Sequence, residues 1–194
     1  MSYRGAPFDE SYFIGNSGAG YTNYNDMIKW TTNRADDIEQ FKPVNGINVL
    51  VMGCAFGFLV KELSNRGANV KGIDISSYAI SQAQTLFPTL NFEVADAINT
   101  NEGNNQYDLV VANLLIDCMP NSTILIQLLK EIKRVINNNG IIYLLVSNTT
   151  DNDYLIISDN QYQSYVSSNF PSKTINIENV GYLSISADKR VVIY

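Results

Sequence analysis

From residue 47 onward, short apolar runs alternate with stretches of helical periodicity, and nothing else restricts the fold of this 194-residue chain so tightly. "INVLVM" is a continuous apolar run, the pattern of a strand buried on both faces. "GFLVKELSNRG" follows with apolar residues at helical spacing and Gly67 placed as a C-terminal stop. "NVKGIDI" is a second strand. "SSYAISQAQTLFP" is a second helix, which Ser76 or Ser77 can cap and Pro88 ends. "NFEVADA" and "YDLVVANLL" give strands three and four. "NSTILIQLLKEIKRVINNNG" is the longest amphipathic helix, closing on basic residues and an Asn-Gly stop, and "GIIYLLVSN" is the fifth strand. This alternation predicts βαβ units, right-handed crossovers and a parallel sheet.

The two ends depart from that pattern. Residues 1–25 are rich in Gly, Ser, Asn and aromatics, and "DMIKWTTNRADDIEQF" (26–41) reads as a helix stopped by Pro43. After strand five, "TTDNDYLIISDN" is irregular and "QYQSYVSSNF" is a short helix. "KTINIENVGYLSIS" and "DKRVVIY" then read as two closing strands joined by a turn around Ala187-Asp188. The length suits one domain with a full core.

The net charge of −6 and the scattered Lys and Arg residues argue against a nucleic-acid partner, which needs a clustered basic surface. No apolar run approaches the roughly 18 residues of a membrane span. The N-terminus lacks the basic-then-apolar layout of a signal peptide, so a cytoplasmic, reducing setting is expected. Two cysteines make no disulfide scaffold. With no histidine in the chain, they make no metal site, and the commonest general base is also missing.

An open parallel sheet binds ligands at the carboxyl ends of its strands, near the point where strand order reverses. Strand one aims Gly53-Cys54-Ala55-Phe56-Gly57 at that place, and the helix behind it offers free N–H groups. The glycine spacing is not the dinucleotide G-x-G-x-x-G, so the turn alone is equally a plain βα connection. Asp74 ends strand two, where an acid can accept both hydroxyls of a ribose or merely cap the next helix. Asp96 closes strand three on the same edge, where it could take an adenine amino group or stand as a surface turn acid.

Taken together, "VLVMGCAFGFLVKELSNRGANVKGIDIS", "FEVADA" and "YDLVVANLLIDCMP" resemble, in order and spacing, the motifs of class I S-adenosylmethionine-dependent methyltransferases across residues 46–148. The resemblance implies an α/β, three-layer, Rossmann-like sandwich. Its seven-stranded sheet would be mostly parallel, with an antiparallel C-terminal hairpin. Residues 1–45 would form a lid or helical cap, and 46–194 the S-adenosylmethionine-binding domain, with S-adenosylhomocysteine as product. It further implies that Gly53, Cys54, Ala55 and Gly57 line the methionine half of the cofactor. Asp74 would hold the ribose, Ile75 would lie on adenine, and Asp96 with Ala97 would read the adenine edge. Asn113 and Leu114 would sit beside the methyl donor. Two departures stand out: Val51 where the family usually has an acid, and Ala55 where it has glycine. The alanine is comfortable at negative φ and strained at positive φ.

Methyl transfer asks the protein mainly to align donor and acceptor and to exclude water; a base is needed only for a protonated acceptor. Asp117, Asp153 and tyrosines near the strand tips are the candidates, with Asp117 and Tyr21 leading, although Asp117 reads equally as a solvated acid before Pro120. Cys118 reads as a small hydrophobe. Tyr12, Phe13, Tyr21 and Tyr24 could close over the site or pack as a tail on the sheet edge. Trp30 and Ile38 belong to a helix core face, while Arg34 could point toward the site. Strand four lacks the N/D-P-P-Y/F pattern of base-amino methylation. A small-molecule acceptor is therefore favoured over a nucleic-acid or protein acceptor. A catalytically idle cofactor-binding subunit is the rival of a different class.

Overall fold

The computed structural model describes residues 8–14, 23–147, 158–171, 173–179 and 188–194. In chain order the elements are α1 (Glu10–Ile14), α2 (Tyr24–Glu39), β1 (Asn48–Met52), α3 (Phe58–Asn65), β2 (Asn69–Asp74), α4 (Ser77–Leu86), β3 (Asn91–Val94) and β4 (Tyr107–Asn113). A 3-10 turn (Ile116–Cys118) leads to α5 (Ser122–Val135), β5 (Ile136–Ser147), α6 (Asp159–Asn169), β6 (Ile175–Asn179) and β7 (Asp188–Ile193). The seven strands form one sheet in the order β3-β2-β1-β4-β5-β7-β6. Strands β1 to β5 run parallel, and β7 lies antiparallel to both β5 and β6.

The β1–β4 centre is buried on both faces, as its unbroken apolar runs require. Leu50, Met52, Val110, Ala112 and Leu144 face a layer built by α5 and α6 through Leu125, Leu128, Ile132 and Val166. Val49, Val51, Leu109, Val111 and Leu145 face α2, α3 and α4, through Ile38, Leu59, Leu63 and Ile80. Each fully buried Leu or Ile contributes roughly 1.5–3 kcal/mol. The three-layer sandwich with its antiparallel final pair is the architecture that the sequence resemblance implies.

Local signals set most boundaries. Ser76, rather than Ser77, caps α4, its Oγ accepting the N–H of Ala79 at 3.1 Å. Asn23 caps α2 by accepting from Asn25 and Asp26, so that helix starts two residues before the predicted position. The Asn-Gly stop expected after α5 is different in kind: the helix ends at Val135 and the chain enters β5 at once. Residues Asn137–Gly140 form an irregular excursion within the strand. Asn137 accepts the N–H of Asn139, and the pairing jumps from Tyr107–Ile136 to Leu109–Ile141. β6 is described as far as Asn179, and the remainder of the predicted strand lies outside the described residues. The segment joining it to β7, including the predicted turn at Ala187, lies outside the described residues.

A buried polar cluster fastens α2 to the sheet. Asp37 accepts the hydroxyl of Tyr143 at 2.7 Å and pairs with Arg190, whose guanidinium lies 4.5 Å from the Phe41 ring centre. Arg34, on the same helix, is buried as well, and its charge acts on Tyr143.

Candidate active site

Strand order reverses between β1 and β4, so the crevice for a ligand opens beside their carboxyl ends. The turn after β1 is wound through three left-handed residues, Gly53 (φ 69°), Ala55 (φ 48°) and Gly57 (φ 81°). Gly57 has a second reason to be glycine: a Cβ there would lie 2.5 Å from the ring of Phe92. Ala55 has the positive φ that costs an alanine roughly 1–2 kcal/mol.

Asp74, the last residue of β2, offsets that cost. One carboxylate oxygen accepts the N–H of Ala55 at 2.9 Å and the other accepts the N–H of Ser76 at 2.9 Å. The side chain therefore fastens the turn and also closes the approach to α4, whose cap is Ser76. It is only 9% exposed, and burial raises its pKa above the usual carboxylate value against the pull of the Ser76, Ala55 and Ile75 amides. Ile75 follows, half-buried. β3 ends at Val94, three residues before the predicted boundary, so Asp96 and Ala97 lie on the turn beyond it. Asp96 accepts the N–H of Ile98 at 3.1 Å.

The β4 tip carries Asn113 and then Leu114, the latter at φ 53° with its N–H bonded to the Leu145 carbonyl at 2.8 Å. Asn113 Oδ1 is shut off from solvent, and none of the described residues donates to it. Asp117 sits on the 3-10 turn that follows and is 3% exposed, so it is not the solvated acid that its place before Pro120 allows. Tyr21 and Asp153, the other named candidates for a base, lie outside the described residues. Cys54 fills space against Gly72, where an added Cβ would fall 2.9 Å from its sulfur. Burial, joined by the Asp74 charge, lifts its thiol well above the ordinary range, which keeps it protonated.

The described part of the N-terminal segment is docked beside this turn. Phe13 is buried with its ring 5.2 Å from Phe56 and 6.3 Å from Tyr78, and Tyr12 meets Phe8 edge-on at 4.9 Å. Ser76 Oγ donates to the Phe8 carbonyl, two residues beyond Asp74. Tyr24 stands 5.3 Å from Phe58 at the start of α3. Trp30 joins the same aromatic cluster, while Ile38 lies in the main core. Sequence reading missed Phe56 and Tyr78 as the platform for this segment. The available signal was the density of aromatics in residues 8–24 facing another in Phe56 and Phe58.

The seven-stranded sheet among the described residues, with its order reversing between β1 and β4, has the Rossmann-like α/β fold of solved methyltransferases. Residues 49–140 match the methyltransferase domain family. The rat mitochondrial ubiquinone biosynthesis O-methyltransferase is 28% identical over 138 residues, covering 67% of this chain and 38% of that protein. The ribosomal protein L11 methyltransferase of Desulfitobacterium hafniense is 32% identical over 108 residues, covering 53% of this chain and 31% of the relative. The chain thus spans well under half the length of either.

Among solved structures, an S-adenosylmethionine-dependent methyltransferase from Mesorhizobium loti superposes with a TM-score of 0.70 at 13% identity, covering 86% of this chain and 99% of the other. The magnesium protoporphyrin IX methyltransferase from Synechocystis PCC 6803, crystallised with S-adenosylmethionine, gives a TM-score of 0.67 at 14% identity, covering 88% and 79%. Residues 49–140 thus match a methyltransferase domain, in a fold shared with solved methyltransferases that depend on S-adenosylmethionine.

Proposed function

We propose that this chain binds S-adenosylmethionine along the β1–β4 crest and transfers its methyl group to a small molecule. The observation that carries the reading is the carboxylate of Asp74, held at the end of β2 by two backbone amides. Two hydrogen bonds leave part of a carboxylate's roughly four acceptor positions open, which suits the vicinal hydroxyls of a ribose. The other residues fit the same ligand. Gly53, Cys54, Ala55 and Gly57 line its methionine half, Ile75 lies against adenine, Asp96 and Ala97 read the adenine edge, and Asn113 and Leu114 flank the sulfonium.

When bound, the cofactor supplies an activated methyl group on a positively charged sulfur. What the chain's residues contribute is alignment and the exclusion of water. The turn holds the donor end rigid because Asp74 locks Ala55. Residues 1–45 act as the cap, and the docked aromatics of α1 shield the nucleoside side. For an acceptor that begins protonated, Asp117 and Tyr21 are the proposed bases. Asp117 follows Leu114 closely in the chain, on the 3-10 turn after β4.

The acidic balance of the chain and the ubiquinone-biosynthesis relative support a small-molecule acceptor. A protein acceptor is the second reading, favoured by the ribosomal protein methyltransferases among the relatives. Calorimetry with S-adenosylmethionine and S-adenosylhomocysteine tests the core of the proposal, with saturable binding expected for both. No heat from either at millimolar concentration would overturn it. Turnover of the cofactor with an added acceptor pool would eliminate an idle subunit, and transfer to polypeptide alone would move the acceptor to the second reading.

A further inference from the structure

Asparagine followed by glycine occurs twice in the chain, at Asn45-Gly46 and Asn139-Gly140, and both asparagines are exposed. The fold holds the two pairs differently. Gly46 donates its N–H to the Gly67 carbonyl at 2.9 Å, and the Asn45 side chain is seated so closely on Gly67 that a Cβ there would collide with Asn45 Oδ1. The Ile47 N–H closes the turn on the Val44 carbonyl at 3.3 Å. Side-chain amide and peptide nitrogen are therefore both engaged at this pair.

Asn139 lies instead in the excursion of β5, at the edge of the sheet opposite the crest. On β4 only Asp108 separates the paired residues Tyr107 and Leu109, whereas four residues, Asn137–Gly140, separate their partners Ile136 and Ile141. The loop is pinched at its neck: a Cβ at Gly140 would fall 2.5 Å from the Ile136 side chain, so the residue after Asn139 has to be glycine. A cation completes the arrangement. Lys173 Nζ donates to the Gly140 carbonyl at 2.7 Å and to the Asn138 carbonyl at 3.5 Å, which sets an ammonium on the carbonyls to either side of Asn139.

We propose that Asn139 is a self-modification site, at which Lys173 promotes ring closure by the Gly140 nitrogen. That nitrogen gives its proton to water and bonds to Asn139 Cγ. The Cγ–Nδ2 bond breaks, and Nδ2 takes up a proton and leaves as ammonia. Water then opens the cyclic imide at either carbonyl, giving aspartate or isoaspartate with no change of oxidation state. A peptide nitrogen attacks as its anion, and a positive charge beside the peptide favours that anion. Glycine places no side chain in the path of the attack. The product carboxylate stands next to Lys173, which exchanges neutral carbonyl partners for a charged one.

The test is peptide mapping by mass spectrometry on the protein held for days in mildly alkaline buffer, folded and in urea. In the folded protein Asn45 is expected to convert about tenfold more slowly than Asn139, the effect of keeping the hydrogen bond at the Gly46 N–H. In urea the two rates converge. Lys173→Gln should slow conversion at Asn139 by about two- to fivefold in the folded protein, the reach of a partly exposed charge, and change nothing in urea. Lys173→Arg should keep the original rate. Asn45 in the same digest is the control for folding, since an unfolded variant would convert faster there. Conversion of Asn45 as fast as Asn139 in the folded protein overturns the proposal. An unchanged Asn139 rate in folded Lys173→Gln overturns the part given to the lysine.

Discussion

The carboxylate of Asp74 accepts the backbone N–H of Ala55 at 2.9 Å, bridging the end of β2 and the turn after β1. A hydrogen bond to a charged group contributes about 1.5–3 kcal/mol, enough to offset the roughly 1–2 kcal/mol that alanine spends at positive φ. The substitution at Ala55 and the acid at Asp74 are thus one local solution, and the glycine that the family prefers is replaceable because its neighbour holds the amide.

Ala55→Gly is accordingly expected to stabilise the ligand-free protein. Relief of the left-handed strain exceeds the entropy that glycine adds to the unfolded chain, for a net gain of about 0.5–1 kcal/mol. Thermal melts should rise by about 1–4 °C. An unchanged or lower melting temperature would show that the turn carries no strain at Ala55.

Asp74 also gives a pH signature. Burial raises its pKa above the 3.8 of an ordinary aspartate, so the folded protein holds this proton more tightly than the unfolded chain. Its contribution to stability is therefore fullest below pH 3.8 and is lost as pH rises through the raised value. Urea midpoints of the unaltered protein minus those of Asp74→Asn should fall across that window and then level off. A difference that grows with pH would contradict the burial cause. At neutral pH, Asp74→Ala should weaken S-adenosylhomocysteine binding by on the order of 1.5–3 kcal/mol per hydrogen bond lost.

Gly57→Ala is expected to be severe. The new methyl group would meet Phe92 at 2.5 Å and the backbone would keep a φ of 81°. Overpacking and left-handed strain together cost about 2–5 kcal/mol, read as a lower urea midpoint with an unchanged slope.

Asp37 is the anchor of α2. Removing it in Asp37→Ala leaves Arg190 buried without this carboxylate and strips the Tyr143 hydroxyl of its acceptor, at about 3–5 kcal/mol. Burial, the Asp37 charge and its hydrogen bond hold the Tyr143 phenol far above its ordinary pKa, so alkaline titration should leave this tyrosine protonated in the native protein, and Asp37→Ala should lower its pKa while burial still holds it above the ordinary value.

Phe13→Ala separates local from global stability. Its ring lies on Phe56 and Tyr78 rather than inside the main sheet cores, so its loss should free the N-terminal segment while the domain stays folded. Limited proteolysis should cut near residues 8–14 much faster, with a small change in melting temperature. A collapse of global stability would place this segment in the folding unit instead.

The central alternation was legible because β1, β2, β4 and β5 are buried on both faces and advertise it in unbroken apolar runs, while α3, α4 and α5 keep a 3.6-residue stripe. Asp74 and Asp96 were legible as acids at strand ends. The φ of Ala55 was not, since an alanine announces nothing about the sign of its own torsion. Nor was the isolation of Asn113 Oδ1, which depends on which donors the finished fold brings near. The Asn-Gly pair after α5 misled because the same residues serve a helix stop and a strand excursion, and pairing with β4 decides between them. The early end of β3 at Val94 follows from its partner: β2 stops at Asp74, whose carbonyl accepts the N–H of Ala95 at 2.9 Å as the last bond between the two strands.

The bond between Asp37 and Arg190 joins groups 153 residues apart in sequence. As a ribosome delivers the chain N-terminus first, α2 emerges long before the strand that neutralises its aspartate. Until β7 arrives, Asp37 has reason to stay in water, and the helix cannot settle on the sheet without stranding a charge. Completion of the fold is therefore gated by residues made long after α2, and a nascent chain halted before Arg190 would hold a formed β1–β4 crest beneath an undocked α2.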